Sequence, residues 1–445
     1  MKTLLLSTYE LGHQPFGLAS PAAWLRKAGI EVNCLDLTQQ PFSEELAFAD
    51  LIAIHLPMHT ATRLAVPVIR HVQKLNPNAS LCCYGLYAPL NEAFLHTLGV
   101  HYILGGEFES DLVDIAVQKF ESVPASSSDV PIPRLNFIVP DRSDLPPLDC
   151  YASLQYGSEK RIVGYTETSR GCKHFCRHCP IVPIYKGHFR VIPVDVVLAD
   201  IRAQVDVGAK HITFGDPDFF NGVGHALKII DKLAREFEGL TYDVTIKIEH
   251  LLRYSDHLEH LVDTGCLFVT SAVESFDDAI LARLRKGHNR TDIFEVLERC
   301  QSVGLNLTPT FVAFTPWTTL EGYCQFLQEI KRAEWIDHVA PIQLAIRLLV
   351  PEGSRLLELA DVRAQLESFD SVRLAYPWHN GDPSVDMLCD SIGNLVAKSL
   401  DASRRSLFGE VWELAHQQAG LEIGSHVIIP PGRVEVPHLN EPWYC

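Results

Sequence analysis

A chain of 445 residues exceeds what one hydrophobic core usually organises, so two or three domains are expected. Its 47% apolar and 21% charged residues describe an ordinary globular protein, and no run approaches the ~18 uninterrupted apolar residues of a membrane helix. A net charge of -17 opposes a polyanionic partner, so neither nucleic acid nor membrane is expected as a partner.

The opening "MKTLLLSTYELGHQP" holds a short apolar run that Glu10 and His13 soon break, which argues against a signal peptide and for a cytoplasmic protein. Residues 1–120 then alternate two periodicities. "KTLLLST", "IEVNCLDL", "ADLIAIHLPM", "SLCCYGLY" and "HYILGGE" predict strands, with helices predicted between them, as in "LASPAAWLRKAG" and "TRLAVPVIRHVQKLN". Continuous apolar strands separated by helices imply a parallel sheet covered on both faces. The expectation is an α/β, doubly wound, Rossmann-like domain whose ligands sit beyond the strands' C-terminal ends.

Residues 121–160 lack periodicity and are rich in Pro, Ser and Asp ("SVPASSSDVPIPRL"), which predicts a linker. From 161 to 350 the alternation resumes, with strands predicted at "RIVGYTETS", "HITFGD", "YDVTIKIE", "LFVTSAVES", "LTPTFVAFT" and "APIQLAIRLLV". Six βα units predict an open or closed parallel barrel with its chemistry at the strands' C-terminal ends. Residues 351–424 read as mostly helical, and 425–445 as an extended tail ending in "NEPWYC".

Twelve cysteines without a secretory signal are not a disulfide framework. Cys34, Cys82, Cys83, Cys150, Cys266, Cys300, Cys324 and Cys389 stand in apolar settings and are expected to be buried. The trio Cys172, Cys176 and Cys179 in "TSRGCKHFCRHCPI" differs, because it follows the first predicted barrel strand, where a loop presents catalytic groups. Thiolates at this density suit zinc or an iron–sulfur cluster. Zinc would need a fourth ligand, for which His174, His178 and His188 are at hand, making a zinc-binding interaction protein. A four-iron cluster with three cysteines instead leaves one iron open to chelate the amine and carboxylate of a small molecule.

"CKHFCRHC" resembles the CxxxCxxC signature of radical S-adenosylmethionine enzymes. The resemblance implies a partial (β/α)6 TIM-type barrel, a 4Fe-4S cluster on the three cysteines, S-adenosylmethionine on the open iron, and an external electron donor of flavodoxin or ferredoxin type. By the same resemblance His178 lies against the adenine, and Gly215, Asp216 and Asp218 of "GDPDFF" meet the methionine amine, although the family's usual sequence there is Gly-Gly-Glu. Lys247 and Glu249 are placed for the carboxylate or ribose, and Ser271 and Glu274 of "SAVES" resemble the fourth-strand contact.

The N-terminal domain and linker resemble the cobalamin-binding subclass, with "GGEFES" (105–110) like its Gly-Glu-Gly-Glu stretch. No Asp-x-His-x-x-Gly is present, and His13 and His59 lack that context. Either cobalamin is held without a protein histidine, or the domain has kept its fold and lost the cofactor; the second is expected. The layout, with "ETSRGC", "RLLVPEGS" and the terminal Cys445, is similar to radical proteins whose tails read Cys-Cys-Ala-Glu-Pro or Cys-selenocysteine-Ala-Glu-Pro. That resemblance implies a tail thiol carried to the reaction, and a gene that continues through UGA as selenocysteine.

The expected function is therefore reductive cleavage of S-adenosylmethionine that starts radical chemistry on a small molecule, such as 3-amino-3-carboxypropyl transfer to a soft element or thiol-type acceptor. A cobalamin-dependent radical methyltransferase is the alternative. A methylthiotransferase acting on tRNA would need further cluster cysteines in the N-terminal domain and a basic C-terminal module, and neither is visible in the sequence.

Overall fold

Leu4, Leu5 and Leu6 are consecutive and all inaccessible to solvent, which requires cover on both faces of their strand. Leu4 and Leu6 belong to one core, with Ile52, Ile54 and Ile69; Leu5 belongs to another, with Leu18, Ala53 and Leu112. The computed structural model describes residues 1–42, 44, 48–118, 134–399, 402–422 and 436–440. Strands β1 (Lys2–Ser7), β2 (Glu31–Asp36), β3 (Leu51–His55), β4 (Ser80–Tyr84) and β5 (Tyr102–Leu104) form a parallel sheet of order β2-β1-β3-β4-β5. The helix His59–Leu75 packs on the Leu4 face, and the helices Phe16–Lys27 and Glu109–Ala116 on the Leu5 face. The order turns back between β1 and β3, so a crevice for a ligand opens at the C-terminal ends of those strands.

The second sheet has the order β13-β12-β11-β10-β7-β6-β14. Its parallel part is β7 (Glu159–Thr166), β10 (His211–Phe214), β11 (Thr241–Thr245), β12 (Cys266–Glu274) and β13 (Asn306–Phe311). β6 (Ser153–Tyr156) and β14 (His438–Leu439) extend it antiparallel beyond β7. A small hairpin-like pair, β8 (Ser169–Gly171) with β9 (Phe189–Val191), stands apart after β7. The outer helices carry strong start signals. Asn289 opens Arg290–Ser302 with a capping box, its side chain accepting from Asp292 N at 3.1 Å while the Asp292 carboxylate accepts from Asn289 N at 2.9 Å.

The sixth strand expected over 340–350 is reduced to a single bridge between Phe314 and Arg347, preceded by the 3-10 turn Pro341–Leu344. Pro341 offers no N–H to a ladder, and the Gln343 side chain accepts from Phe311 N at 2.8 Å where a sixth strand's carbonyl would stand. The helices Pro383–Lys398 and Arg404–Gln418 pack on the barrel core through Leu388, Ile392, Phe408 and Val411. Cys150 is exposed, whereas the seven other cysteines expected inside are buried. Among the described residues no helix is long and apolar enough to cross a membrane.

Candidate functional site

The loop after β7 carries the three cysteines, and its shape is enforced from several sides. The buried carboxylate of Asp216, past the end of β10, accepts from Thr168 N at 2.9 Å, Thr168 Oγ1 at 2.7 Å and Ser169 Oγ at 2.5 Å. Burial pushes this carboxyl up to about 6 despite those donors. Gly171 follows with φ +80, and a Cβ there would lie 2.4 Å from the Tyr185 ring, so only glycine turns the chain into Cys172. Asn221 accepts from Lys173 N at 3.2 Å, and Arg177 N donates to Leu284 O at 2.9 Å. Cys172 and Cys176 are buried and Cys179 half-buried. Burial pushes the Cys179 thiol up to about 12, with the Cys176 and Cys172 thiols beside it adding to the effect. Three thiols converge here on one loop, while the other described cysteines lie on other elements.

Two charged groups flank the loop. On one side His178 Nε2 lies 3.0 Å and Lys286 Nζ 3.2 Å from Glu274 Oε1. Burial opposes the charge on Glu274, but Lys286 and His178 outweigh it and hold the carboxyl well below its usual range. Glu274 has φ +68 beside a register shift in β12, which turns its side chain toward the loop. On the other side Asp218 receives His174 Nε2 at 3.2 Å and His250 Nδ1 at 2.7 Å. Burial again opposes the charge, and the two imidazoles hold Asp218 below the ordinary carboxylate value. His174 Nδ1 also lies 3.4 Å from Glu249, whose carboxylate is 3.5 Å from Lys247 Nζ. Ligand atoms of Cys172, His174 and Asp218 fall within 4.8 Å of one another, which is the nearest approach to the zinc arrangement weighed from the sequence.

Beneath the loop a cavity of about 510 Å³ separates the two sheets. Its roof is made by residues at the C-terminal strand ends of the N-terminal domain, including Glu10, His55, Gly85 and Gly106, with Gly17 at the start of the helix Phe16–Lys27. Its floor and walls are the barrel interior, including Tyr165, Thr213, Asp243 and Thr270. Both sheets therefore direct their C-terminal ends at one space, where ligands of such sheets bind.

The family model described as the Radical SAM superfamily matches residues 166–321, the span from the end of β7 to the start of the helix after β13. Residues 166–321 thus match a radical SAM domain. Among curated relatives, a threonylcarbamoyladenosine tRNA methylthiotransferase from Rickettsia prowazekii is 22% identical over 260 residues, 55% of this chain and 56% of that protein. A hopanoid C-3 methylase from Methylococcus capsulatus is 22% identical over 348 residues, 74% of this chain and 67% of that protein. The chain spans about half the length of the methylthiotransferases it matches. The fold is shared with the cobalamin-dependent S-adenosylmethionine radical enzyme OxsB, solved with aqua-cobalamin and S-adenosylmethionine, at TM-score 0.67 and 14% identity over 90% of this chain and 67% of that one. It is shared also with the radical S-adenosylmethionine methyltransferase TsrM from Kitasatospora setae, at TM-score 0.59 and 16% identity over 83% of this chain and 79% of that one.

For a radical SAM protein the donor set fits a cluster: three thiols on one loop, walled by Lys286 and held by Asp216. Of the residues singled out in the sequence, His178 and Glu274 meet beside the cysteines, Asp218 and Glu249 meet through His174, and Lys247 joins Glu249. Gly215 and Asp216 line the cavity, although Asp216 spends its carboxylate on the cysteine loop. Ser271 is not brought to them: it alternates with cavity-lining Thr270 and shares a strand face with core residues Val269 and Val273. Cys445 lies outside the described residues. His13 lines the cavity with its ring 4.8 Å from that of Tyr165, whereas His59 points elsewhere, bonding Arg373 O at 2.6 Å. Arg347, Trp317, Trp378 and His379 pack outside the cavity, with Arg347 3.6 Å over the Trp378 ring.

Sequence reasoning missed Glu107, Glu167, Arg170, Asp243 and Lys286. Arg170 is buried with Glu107 at 3.3 Å, Glu109 at 2.7 Å and Glu167 at 2.8 Å. Burial pushes Glu167 up to about 7, even with Arg170 beside it. The hint available was position: Glu167 and Arg170 sit between the barrel's first strand and the first cysteine, in "ETSRGC".

Proposed function

We propose that this radical SAM enzyme is a methyltransferase that acts on a small molecule in the cavity between its two sheets, with cobalamin held by the N-terminal domain. The single observation that carries the reading is that the strand ends of both domains line one cavity. A relative that is a methylase and two fold neighbours named as cobalamin-dependent or methyltransferase enzymes support it. Two polar atoms on the cavity roof fit a bound polar or metal-bearing group. His55 Nδ1 and Glu10 Oε2 are buried without a hydrogen-bond partner, 3.4 Å apart.

In this reading Cys172, Cys176 and Cys179 would hold the cluster, and His55, Glu10 and Gly85 would line the cobalamin site. Such a cluster, when bound, supplies an electron and an open iron for S-adenosylmethionine. Cobalamin, when bound, supplies a carrier for the methyl group. The remaining work falls to the chain itself. Asp216 fixes the loop through Thr168 and Ser169, so that the cysteines keep one geometry through turnover. Glu274, kept ionised by Lys286 and His178, and the Asp218–His174–His250 group present fixed charges on either side of the loop. The apolar walls, among them Phe16, Phe214 and Phe268, exclude water from the radical.

Per turnover, two molecules of S-adenosylmethionine, two electrons from a flavodoxin- or ferredoxin-type donor and one substrate C–H give a methylated product. The by-products are methionine, 5′-deoxyadenosine and S-adenosylhomocysteine. Anaerobic turnover with reductant and mass spectrometry of the fragments tests this: 5′-deoxyadenosine with S-adenosylhomocysteine, and cobalt in the protein, are expected. Methylthioadenosine instead would overturn methyl transfer in favour of aminocarboxypropyl transfer. A protein that assembles zinc and no sulfide would overturn the radical reading altogether.

A further inference from the structure

The inside of a parallel barrel is usually packed with Val, Ile and Leu. Here the inward positions of three adjacent strands carry hydroxyls: Thr245 on β11, Thr270 on β12, and Thr308 and Thr310 on β13. Thr245, Thr270 and Thr310 make no side-chain hydrogen bond among the described residues, and Thr308 Oγ1 is buried without a partner. A buried hydroxyl left unsatisfied costs about 1–3 kcal/mol, which applies here to Thr308; the hydroxyls of Thr245, Thr270 and Thr310 open into the cavity, where a polar ligand bonds them in place of water. Neighbouring strands lie about 4.8 Å apart, so the wall offers hydroxyls over roughly 10 Å, the span of a six-carbon polyol.

Asp243 completes the wall. Its side chain is almost inaccessible, yet it lines the cavity. Thr213 Oγ1 at 2.6 Å and His211 Nε2 at 2.9 Å both approach Oδ1, and Oδ2 has no hydrogen bond among the described residues. No Lys or Arg pairs with Asp243 among the described residues, and Glu10 adds a second carboxylate to the cavity. Burial lowers the pKa of His13, while His55 Nδ1 stands 3.4 Å from Glu10 Oε2, which leaves Asp243 Oδ2 as the carboxylate oxygen open to a ligand. Two arginines line the cavity: Arg170 is taken by three carboxylates, and Arg404 Nη1 donates to Asp337 O.

We infer that the barrel lumen binds a small polyhydroxylated substrate bearing an amino group, with the ammonium on Asp243 Oδ2 and the hydroxyls on Thr245, Thr270 and Thr310. This rests on the reading of the cavity as the substrate site and names the substrate's chemical class. S-adenosylmethionine also carries an amine, so the test separates the two sources.

Binding of glucosamine, glucose and gluconate is measured by calorimetry on the anaerobically reconstituted protein, with and without saturating S-adenosylmethionine. Glucosamine is expected to bind at least about tenfold tighter than glucose in both conditions, and gluconate more weakly still. Asp243→Asn should abolish the preference while leaving S-adenosylmethionine affinity and the cluster's electron paramagnetic resonance signal unchanged. Thr270→Val, a milder change should Asp243→Asn not fold, should weaken glucosamine and glucose alike. Equal affinities for the three probes, no binding of any, or loss of S-adenosylmethionine affinity in Asp243→Asn would overturn the inference. The cluster signal is read on the same samples, so failure of the radical reading shows there and failure of the lumen site shows only in the sugar titrations.

Discussion

The carboxylate of Glu107, at the end of the N-terminal sheet, accepts from Arg170 Nη1 at 3.3 Å, across the boundary between the two domains. Its other oxygen accepts from Tyr185 OH at 3.1 Å. Arg170 stands just before Cys172 and Tyr185 just after Cys179, so one side chain of the doubly wound domain holds both ends of the cysteine loop. Glu109, also from that domain, pairs with Arg170 at 2.7 Å and accepts from Ser20 Oγ at 2.6 Å. The N-terminal domain thereby touches both ends of the cysteine loop directly.

Glu107→Gln should therefore act on the loop without dismantling the sheet. Removing one partner of a fully buried pair costs about 3–5 kcal/mol when the remaining charge is stranded. Arg170 keeps Glu109 and Glu167, so a smaller loss of about 1–3 kcal/mol is expected. The reduced cluster's paramagnetic resonance spectrum should broaden or shift, and iron content should fall. An unchanged spectrum at full iron content would show that the contact only glues domains together.

Cys176→Ala should abolish cluster assembly and turnover while the chain still folds. Cys176 belongs to the loop and to neither main core, so its loss forfeits about 1 kcal/mol of local packing. Iron and sulfide analysis beside far-ultraviolet circular dichroism checks both halves of this statement. Full iron retention in the variant would remove Cys176 from the ligand set.

Glu167 gives the site a pH signature. Its folded carboxyl is raised from 4.5 to about 7 by burial, with Arg170 only partly offsetting this. A carboxyl with a raised folded pKa binds its proton more tightly in the native state, so stability is present below pH 4.5 and lost as pH rises to about 7. The urea midpoint of the wild type should fall relative to that of Glu167→Gln across this window, and the two should run parallel above it. Parallel behaviour throughout would mean that Glu167 stays ionised in the fold.

How much of this was readable beforehand follows from the range of each signal. The five strands of the N-terminal sheet announce themselves because burial on both faces demands unbroken apolar runs such as "TLLLS" and "LIAIH". The cysteine trio and its place after β7 are local, so spacing alone exposed them. Glu107 and Arg170 are 63 residues apart, and nothing in "GGEFES" or "ETSRGC" states that the two stretches meet. "APIQLAIRLLV" misled because its apolar content is strand-like, while Pro341 and the Gln343 side chain leave only a bridge. Ser271 lies on the strand face opposite that of Thr270, because a one-residue offset on a strand changes the face.

The tail offers the last test. His438 and Leu439 pair with Gln155 and Leu154, and Asn440 Oδ1 accepts from Ser153 N at 2.6 Å. Because β14 is antiparallel to β6 and β6 to β7, the chain at Asn440 runs toward the C-terminal ends of the barrel strands. Ala152, next to the Ser153 it pairs with, donates to Gly12 O at 2.9 Å, which puts Asn440 near the domain junction. Five further residues span at most about 17 Å when extended, enough to bring a thiol to the cavity. Leu439 itself lines that cavity and packs with Leu154, Val163 and Phe268. Deleting residues 436–445 should therefore unseal the barrel's edge, at a cost of about 1–2 kcal/mol for the half-buried Leu439. Cleavage of S-adenosylmethionine should persist, while the yield of product per 5′-deoxyadenosine falls severalfold as the radical is quenched by water-borne donors. Cys445→Ser separates the two roles of the tail. It should leave the edge sealed and the melting temperature unchanged, and it should lower product yield only if the thiol takes part. A variant indistinguishable from wild type in yield would reduce the tail to a plug, and an unaltered yield on deletion would remove it from the site.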